Sequence, residues 1–207
     1  MPRSCNDRER RAGVRALERR ATGDLVTVAG YAAVFGEEAN IGGFFREVIA
    51  RGAFTESLRT ADVRAYFGHD SNRVLGRMSA GTLRLAEDDK GLAVEIDLPD
   101  TTDGRDARTL IERGDITGMS FGFRVRPNGQ EWDETGAIPV RTLLAVDLDE
   151  VSIVSDPAFE GTSIALRSLE AAMRDRRQHN FSGAQRRIAM KATLDLRARG
   201  LGTGSKA

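Results

Sequence analysis

With 207 residues, 40% of them hydrophobic and 30% charged, the chain can bury one sizeable core but not two, so one folded domain flanked by tails is expected. A single cysteine, Cys5, excludes an internal disulfide framework and a cysteine-built zinc cluster, and no apolar run approaches the roughly 20 residues of a membrane-spanning helix. The zero net charge hides a partition: residues 1–22 hold seven arginines against three acids, residues 23–160 hold 14 basic residues against 25 acids, and residues 161–207 hold ten against three.

An acidic body between basic ends reads as one folded domain over residues 23–166, with basic extensions at 1–22 and 167–207. Neither extension interleaves aromatics with its arginines, so specific nucleic-acid binding is not expected. Residues 1–22 contain no apolar h-region, and a soluble, intracellular protein without membrane partners is expected.

In chain order, Asp7 to Arg20 reads as a short arginine-rich helix ending near Thr22-Gly23. Leu25 to Phe35 reads as strand with a bulge at Gly30. A turn at Gly42-Gly43 leads to an extended Phe44 to Ile49. A helix over Ala53 to Thr60 follows, with Phe54 and Leu58 on one face. Val63 to Phe67 is a strand that delivers His69 at its end. Val74 to Met78, Thr82 to Leu85 and Leu92 to Leu98 form antiparallel hairpin texture, with turn chemistry at Asp88 to Gly91. Asp103 to Arg113 has helical spacing and Gly114 is its stop. Ser120 to Arg126 alternates as a strand, with Phe121, Phe123 and Val125 on one face and Ser120, Gly122 and Arg124 on the other. Pro139 to Ala145 and Val146 to Ser155 complete the strands. Ala165 to Gln178 and Ala184 to Arg199 have helical texture, but their charge is equally that of a disordered tail.

Three short motifs carry chemistry: Tyr66-Phe67-Gly68-His69-Asp70, Gly118-Met119-Ser120-Phe121-Gly122 and Asp149-Glu150-Val151-Ser152. A serine hydroxyl attacks well only beside an imidazole that a third group orients, so His69, Ser120 and an acid are the parts of a serine hydrolase. The chain has two histidines, which leaves His69 little competition as the base. A turn histidine capped by Asp70 is the plain alternative. If Val146 to Val154 is extended, Val146, Leu148, Glu150, Ser152 and Val154 share a face and Asp147 and Asp149 point the other way. Glu150 is then the acid among apolar neighbours and needs a partner, His69 or, in the plain reading, Arg124. Gly118-x-Ser120-x-Gly122 also fits the nucleophile elbow of α/β-hydrolases. Chain order opposes that fold, because its acid and histidine follow the serine, whereas the histidine after Ser120 here is His179 in the basic tail.

Together with Gly30 to Phe35, Glu47 to Phe54, Leu75-Gly76-Arg77, the extended Ser120-Phe121-Gly122-Phe123 block and Glu150 to Ala158, the motifs resemble the prohead proteases of HK97-type tailed phages, related to the herpesvirus assemblins. The resemblance spans Thr27 to Leu166. It implies an α+β fold, a compact and mainly antiparallel β-barrel with a few surrounding helices, like the herpesvirus proteases. It also implies a serine endopeptidase that self-associates inside the assembling prohead in the host cytoplasm and there cleaves the scaffolding segment of the major capsid protein, and its own chain. Carried across by position, Ser120 is the nucleophile, His69 the base and Glu150 the residue orienting it, with no cofactor and no metal. The herpesvirus relatives have a second histidine as third member and arginines soon after it for the oxyanion. Neither is matched here, where Ser155-Asp156-Pro157 follows, so backbone N–H groups near Gly118 or in another loop are the candidate donors. A non-catalytic capsid-assembly protein of the same fold and an unrelated esterase stay open as alternatives.

Overall fold

Residues 8–14, 17–22, 25–155 and 173–174 are described by a computed structural model. In chain order they form β1 (Glu9–Val14), β2 (Glu18–Thr22), β3 (Leu25–Val34), β4 (Ala39–Ile41), β5 (Phe45–Ile49), α1 (Thr55–Thr60), β6 (Arg64–Phe67) and β7 (Asp70–Arg77). There follow β8 (Leu83–Glu87), β9 (Gly91–Asp97), α2 (Thr102–Arg113), β10 (Gly118–Val125), β11 (Gln130–Asp133), β12 (Val140–Leu143) and β13 (Val146–Val154). All of these lie in a first unit, residues 1–166. Met173 and Arg174, both helical, belong to a second, residues 167–207. The helices expected over Ala165 to Gln178 and Ala184 to Arg199 otherwise lie outside the described residues.

The strands form three sheets with orders β1-β10-β13-β6-β7, β11-β12-β5-β4 and β2-β3-β9-β8. Pairing is antiparallel except for β12 with β5 and β13 with β6. α+β therefore describes the chain, but the sheets are open, and the closed barrel expected from the resemblance is not formed by the described residues. Open edges need protection from stray pairing, and the edge strand β7 begins with the exposed polar run Asp70, Ser71 and Asn72.

The apolar faces meet in one core. Val28, Leu92, Val94 and Ile96 come from the β3–β9 pair, Met119, Phe121 and Phe123 from β10, and Val151 and Ile153 from β13. Phe121 packs edge-on against Phe54 at 5.4 Å and stacks with Phe123 at 5.2 Å, which fixes β10 from behind. Helix α1, one residue past Phe54, holds β13. The buried Ser57 hydroxyl accepts from the Leu148 N–H at 2.7 Å, and the Val146 N–H donates to the Ala53 carbonyl at 2.9 Å. Helix α2 starts on a Thr101 cap that accepts from the Gly104 N–H and stops at Gly114, φ 78°, as its sequence signals require.

Two further expectations fail. Residues 9–14 and 18–22 form strands rather than a helix, because Glu9 and Arg11 alternate into the interior and find charged partners there. The irregularity in β3 falls between Tyr31 and Ala33 rather than at Gly30, which pairs regularly with Val94.

Candidate active site

β6 and β7 are joined by the two residues Gly68 and His69, with Phe67 opposite Asp70. Their φ angles are 61° and 64°. A tight type I′ turn requires positive φ at both central positions, which glycine adopts freely and histidine at a cost of about 1 kcal/mol. The Gly68 N–H donates to the Ile153 carbonyl at 2.9 Å, extending the parallel β6–β13 pairing and fixing the turn beside β13. Asp70 does not cap His69; its Oδ1 accepts from the Asn72 N–H at 2.9 Å.

β10 lies between β1 and β13. Ser120 is opposite Ala12 on one side and Ser152 on the other, and Gly122 is opposite Arg10 and Glu150. Opposed residues of an antiparallel pair project to the same face, with Cβ atoms about 4.5–5.5 Å apart. Ser120, Ser152 and Glu150 therefore share a face, and all three are buried. Phe121, Val151 and Ile153 occupy the core face behind them.

The phase of β13 differs from simple alternation. Gly122 pairs with Glu150 and Phe123 with Leu148, so Asp149 is the extra residue of a bulge. Val146 and Leu148 before the bulge, and Val151 and Ile153 after it, all reach the core. Glu150 thus does not share the face of Val146 and Leu148, as uninterrupted alternation predicts. The bulge turns Glu150 and Ser152 to the opposite side of the sheet.

There Glu150 is heavily engaged. Its Oε1 lies 3.0 Å from His69 Nδ1, 3.0 Å from Arg8 Nη2 and 3.3 Å from Arg10 Nε, and its Oε2 accepts from the Ser152 hydroxyl at 3.0 Å. Burial pushes its pKa up, but His69, Arg8 and Ser152 together outweigh burial and leave it below the usual value. Arg124 is not its partner; that guanidinium pairs with Asp149 at 2.5 Å. Burial raises the pKa of Asp149, against the pull of Arg124 and Arg8.

The Ser120 hydroxyl donates to the Arg11 carbonyl of β1 at 2.8 Å, and no hydrogen bond joins it to His69 among the described residues. The three residues singled out from the sequence are brought together in two parts, His69 on Glu150, and Ser120 on the neighbouring strand with its hydroxyl turned toward β1. Gly118 lies within the ladder, between Val14 and Val154.

Residues to which the sequence assigns no role complete the surroundings. Ser152 and the β1 arginines contact Glu150, and Gly122 leaves it room: a Cβ there would stand 2.8 Å from Glu150 Cγ. On the other face of β1, Arg11 Nε pairs with Glu47 at 2.5 Å and its Nη2 with Glu9 at 2.7 Å, while Arg141 reaches Glu9 at 2.7 Å and Glu47 at 3.0 Å. These two cations and two anions are all buried. They tie β1 to β5 and β12, so the strand that accepts the Ser120 hydroxyl is anchored from behind. Burial raises the Glu9 pKa, and Arg141 and Arg11 more than offset it to leave a net lowering.

No solved structure matches the chain significantly. The prohead protease of Enterobacteria phage HK97 is 33% identical over 140 residues, which are 66% of this chain and 57% of that protein, so the match spans a little over half of the relative's length. Residues 12–175 match the family described as caudovirus prohead serine protease, a stretch that holds His69, Ser120 and Glu150, and the chain belongs to that family.

Proposed function

We propose that the chain is a serine endopeptidase of phage capsid maturation, with Ser120 as nucleophile, His69 as general base and then acid, and Glu150 as the group orienting His69. The observation that carries the reading is the 3.0 Å contact between His69 Nδ1 and the buried Glu150 carboxylate, beside Ser120 on the adjoining strand. With Nδ1–H held on the carboxylate, Nε2 is the free base. Ser120 turns about χ1 from the Arg11 carbonyl to Nε2, gives up its proton and attacks the peptide carbonyl. The imidazolium formed is stabilised by Glu150 and returns the proton to the leaving amine. Water then takes the place of the amine and releases the acyl group from Ser120.

The substrate is the scaffolding segment of the major capsid protein, and the enzyme's own chain, inside the assembling prohead. Family membership and the HK97 relative's name support this. The order histidine, serine, third member is that of the herpesvirus assemblins and supports a common origin, with a carboxylate replacing their second histidine. Residues 23–166, with β1 and β2 added to their sheets, are the protease domain, and the basic residues 167–207 are an extension that directs the enzyme into the prohead or is removed on activation. Among the described residues no helix is long and apolar enough to cross a membrane.

Co-expression with the cognate capsid protein tests the reading. The intact chain shortens the capsid protein, and Ser120→Ala and His69→Ala leave it full length. Shortening at the same junction by Ser120→Ala removes Ser120 from the mechanism. No shortening by the intact, folded chain favours a non-catalytic assembly role.

A further inference from the structure

Ser152 has no part in the chemistry above, yet it is fully buried and faces the site. It is the register partner of Ser120 across the β10–β13 ladder, so two serine hydroxyls stand on one face beside one histidine and one carboxylate. Their commitments differ. The Ser120 hydroxyl is spent on a neutral backbone carbonyl, from which rotation frees it at little cost. The Ser152 hydroxyl donates to Glu150 Oε2 at 3.0 Å, a charge-assisted bond to a buried anion and among the stronger kinds a hydroxyl can make.

The two oxygens of Glu150 are thereby divided. Ser152 holds Oε2, and Oε1 is turned to His69 Nδ1 and the β1 guanidiniums. The division matters because a glutamate has three side-chain torsions, and contacts made at one oxygen alone leave the carboxylate plane free to turn about it. The spacing supplies the second fixed point. Residues two apart on a strand share a face, so the bulge at Asp149 that turns Glu150 toward His69 turns Ser152 with it. Behind Ser152, Val151 and Ile153 are buried in the core and hold the strand in place.

We propose that Ser152 is a positioning residue of the reaction, acting through Glu150: it anchors one carboxylate oxygen so that the other meets the His69 ring in line with Nδ1–H. This rests on the assignment of Ser120, His69 and Glu150 made above. Ser152 is not a second nucleophile, since its proton is directed at the carboxylate that must remain ionised.

The test uses the full chain and a quenched fluorescent peptide spanning the capsid-protein junction mapped by co-expression. Ser152→Ala lowers kcat roughly ten-fold, the low end for groups that support a reacting side chain, with KM little changed. It also moves the acid limb of the pH profile of kcat/KM to higher pH, because a carboxylate with one donor fewer holds the Nδ1 proton more firmly. Ser152→Thr keeps the hydroxyl and restores both. A fluorophosphonate labels Ser120 in the wild type and in Ser152→Ala.

An unmoved acid limb with unchanged kcat, or a loss of rate that only follows the folded fraction in urea, overturns the proposal. So does fluorophosphonate labelling of Ser152 itself. Activity retained by Ser120→Ala overturns instead the underlying assignment, which keeps the two failures apart. Should Ser152→Ala not fold, Ser152→Cys, which fills the same space with a weak donor, takes its place, with the same shift of the acid limb expected and the same unmoved limb refuting.

Discussion

Replacing Gly122 with alanine puts a methyl carbon 2.8 Å from Glu150 Cγ, 2.9 Å from Glu150 Oε1 and 3.0 Å from Arg8 Nε. Carbon atoms in contact sit about 3.5–4.0 Å apart, so the overlap with Cγ is about 0.7 Å at least. Arg8 is the far end of a flexible, exposed side chain and moves away easily. Glu150 is enclosed and held at both oxygens, and it must shift by a similar distance. A displacement of about 0.7 Å in a carboxylate held at 3.0 Å from His69 Nδ1 spoils the distance and angle of that hydrogen bond. Overpacking of this kind costs about 1–3 kcal/mol of stability, offset by roughly 0.4–1 kcal/mol from the lower backbone entropy of unfolded alanine. The variant therefore folds. Misplacing a reacting constellation by nearly 1 Å costs on the order of 100-fold in rate, about 2.7 kcal/mol in barrier. Steady-state cleavage of the junction peptide, with urea unfolding alongside, measures both. A folded Gly122→Ala enzyme within two-fold of wild-type kcat/KM would refute the claim that Glu150 placement governs the rate.

Three further outcomes are expected. Arg141→Ala leaves Glu9 and Glu47 sharing one buried guanidinium, which costs about 3–5 kcal/mol and lowers the unfolding temperature by about 10 °C; a fall under 2 °C in a thermal melt contradicts the buried quartet. His69→Gly relieves the positive φ and is inactive, and His69→Val, which loses the same imidazole, is inactive and about 1–2 kcal/mol less stable than the glycine variant; equal stabilities of the two dispose of backbone strain at this turn. Glu9 and Glu150 have folded pKa values below their ordinary 4.5, so the stability they add is present above that value and lost as pH falls through the lowered folded ones. Urea unfolding should be flat from pH 7 to 5 and decline below about 4.5, less steeply in Glu9→Gln; a decline of equal slope in that variant shows that other groups govern acid stability.

Local signals carried much of the fold. The alternation of Leu92 to Leu98, the turn at Asp88 to Gly91 and the Gly114 stop each depend on neighbours in sequence, and each is found as expected. The arginine-rich start was misread because its partners are distant. Glu9 and Arg11 belong on a strand only once Arg141, 132 residues after Glu9, and Glu47 are present to neutralise them. The short β4 and β11 carry too few residues for a periodic pattern and depend on β5 and β12 for pairing. In the site, His69, Ser120 and Glu150 were legible as residue types in order, but the route to Glu150 was not. Apolar residues at 146, 148, 151 and 153 break the period of two at a single step, which is the mark of the bulge at Asp149. Ser152 stands beside Glu150 in the third motif, but its role is not legible there, because a buried serine has no pattern of its own until its partner's oxygen is located.

In the sheet order β1-β10-β13-β6-β7, the strand made last stands in the middle. Without β13 that sheet is two separate pairs, β1 with β10 and β6 with β7, one bearing Ser120 and the other leading into the turn of His69. Only the arrival of Val146 to Val154 joins them, and the same nine residues bring Glu150, 81 positions after the histidine it meets. A chain released before that point has both hydroxyl and imidazole but nothing to bridge them. The joining of the two halves and the meeting of His69 with its carboxylate are therefore a single event, and a chain that stops before Val146 holds no assembled site.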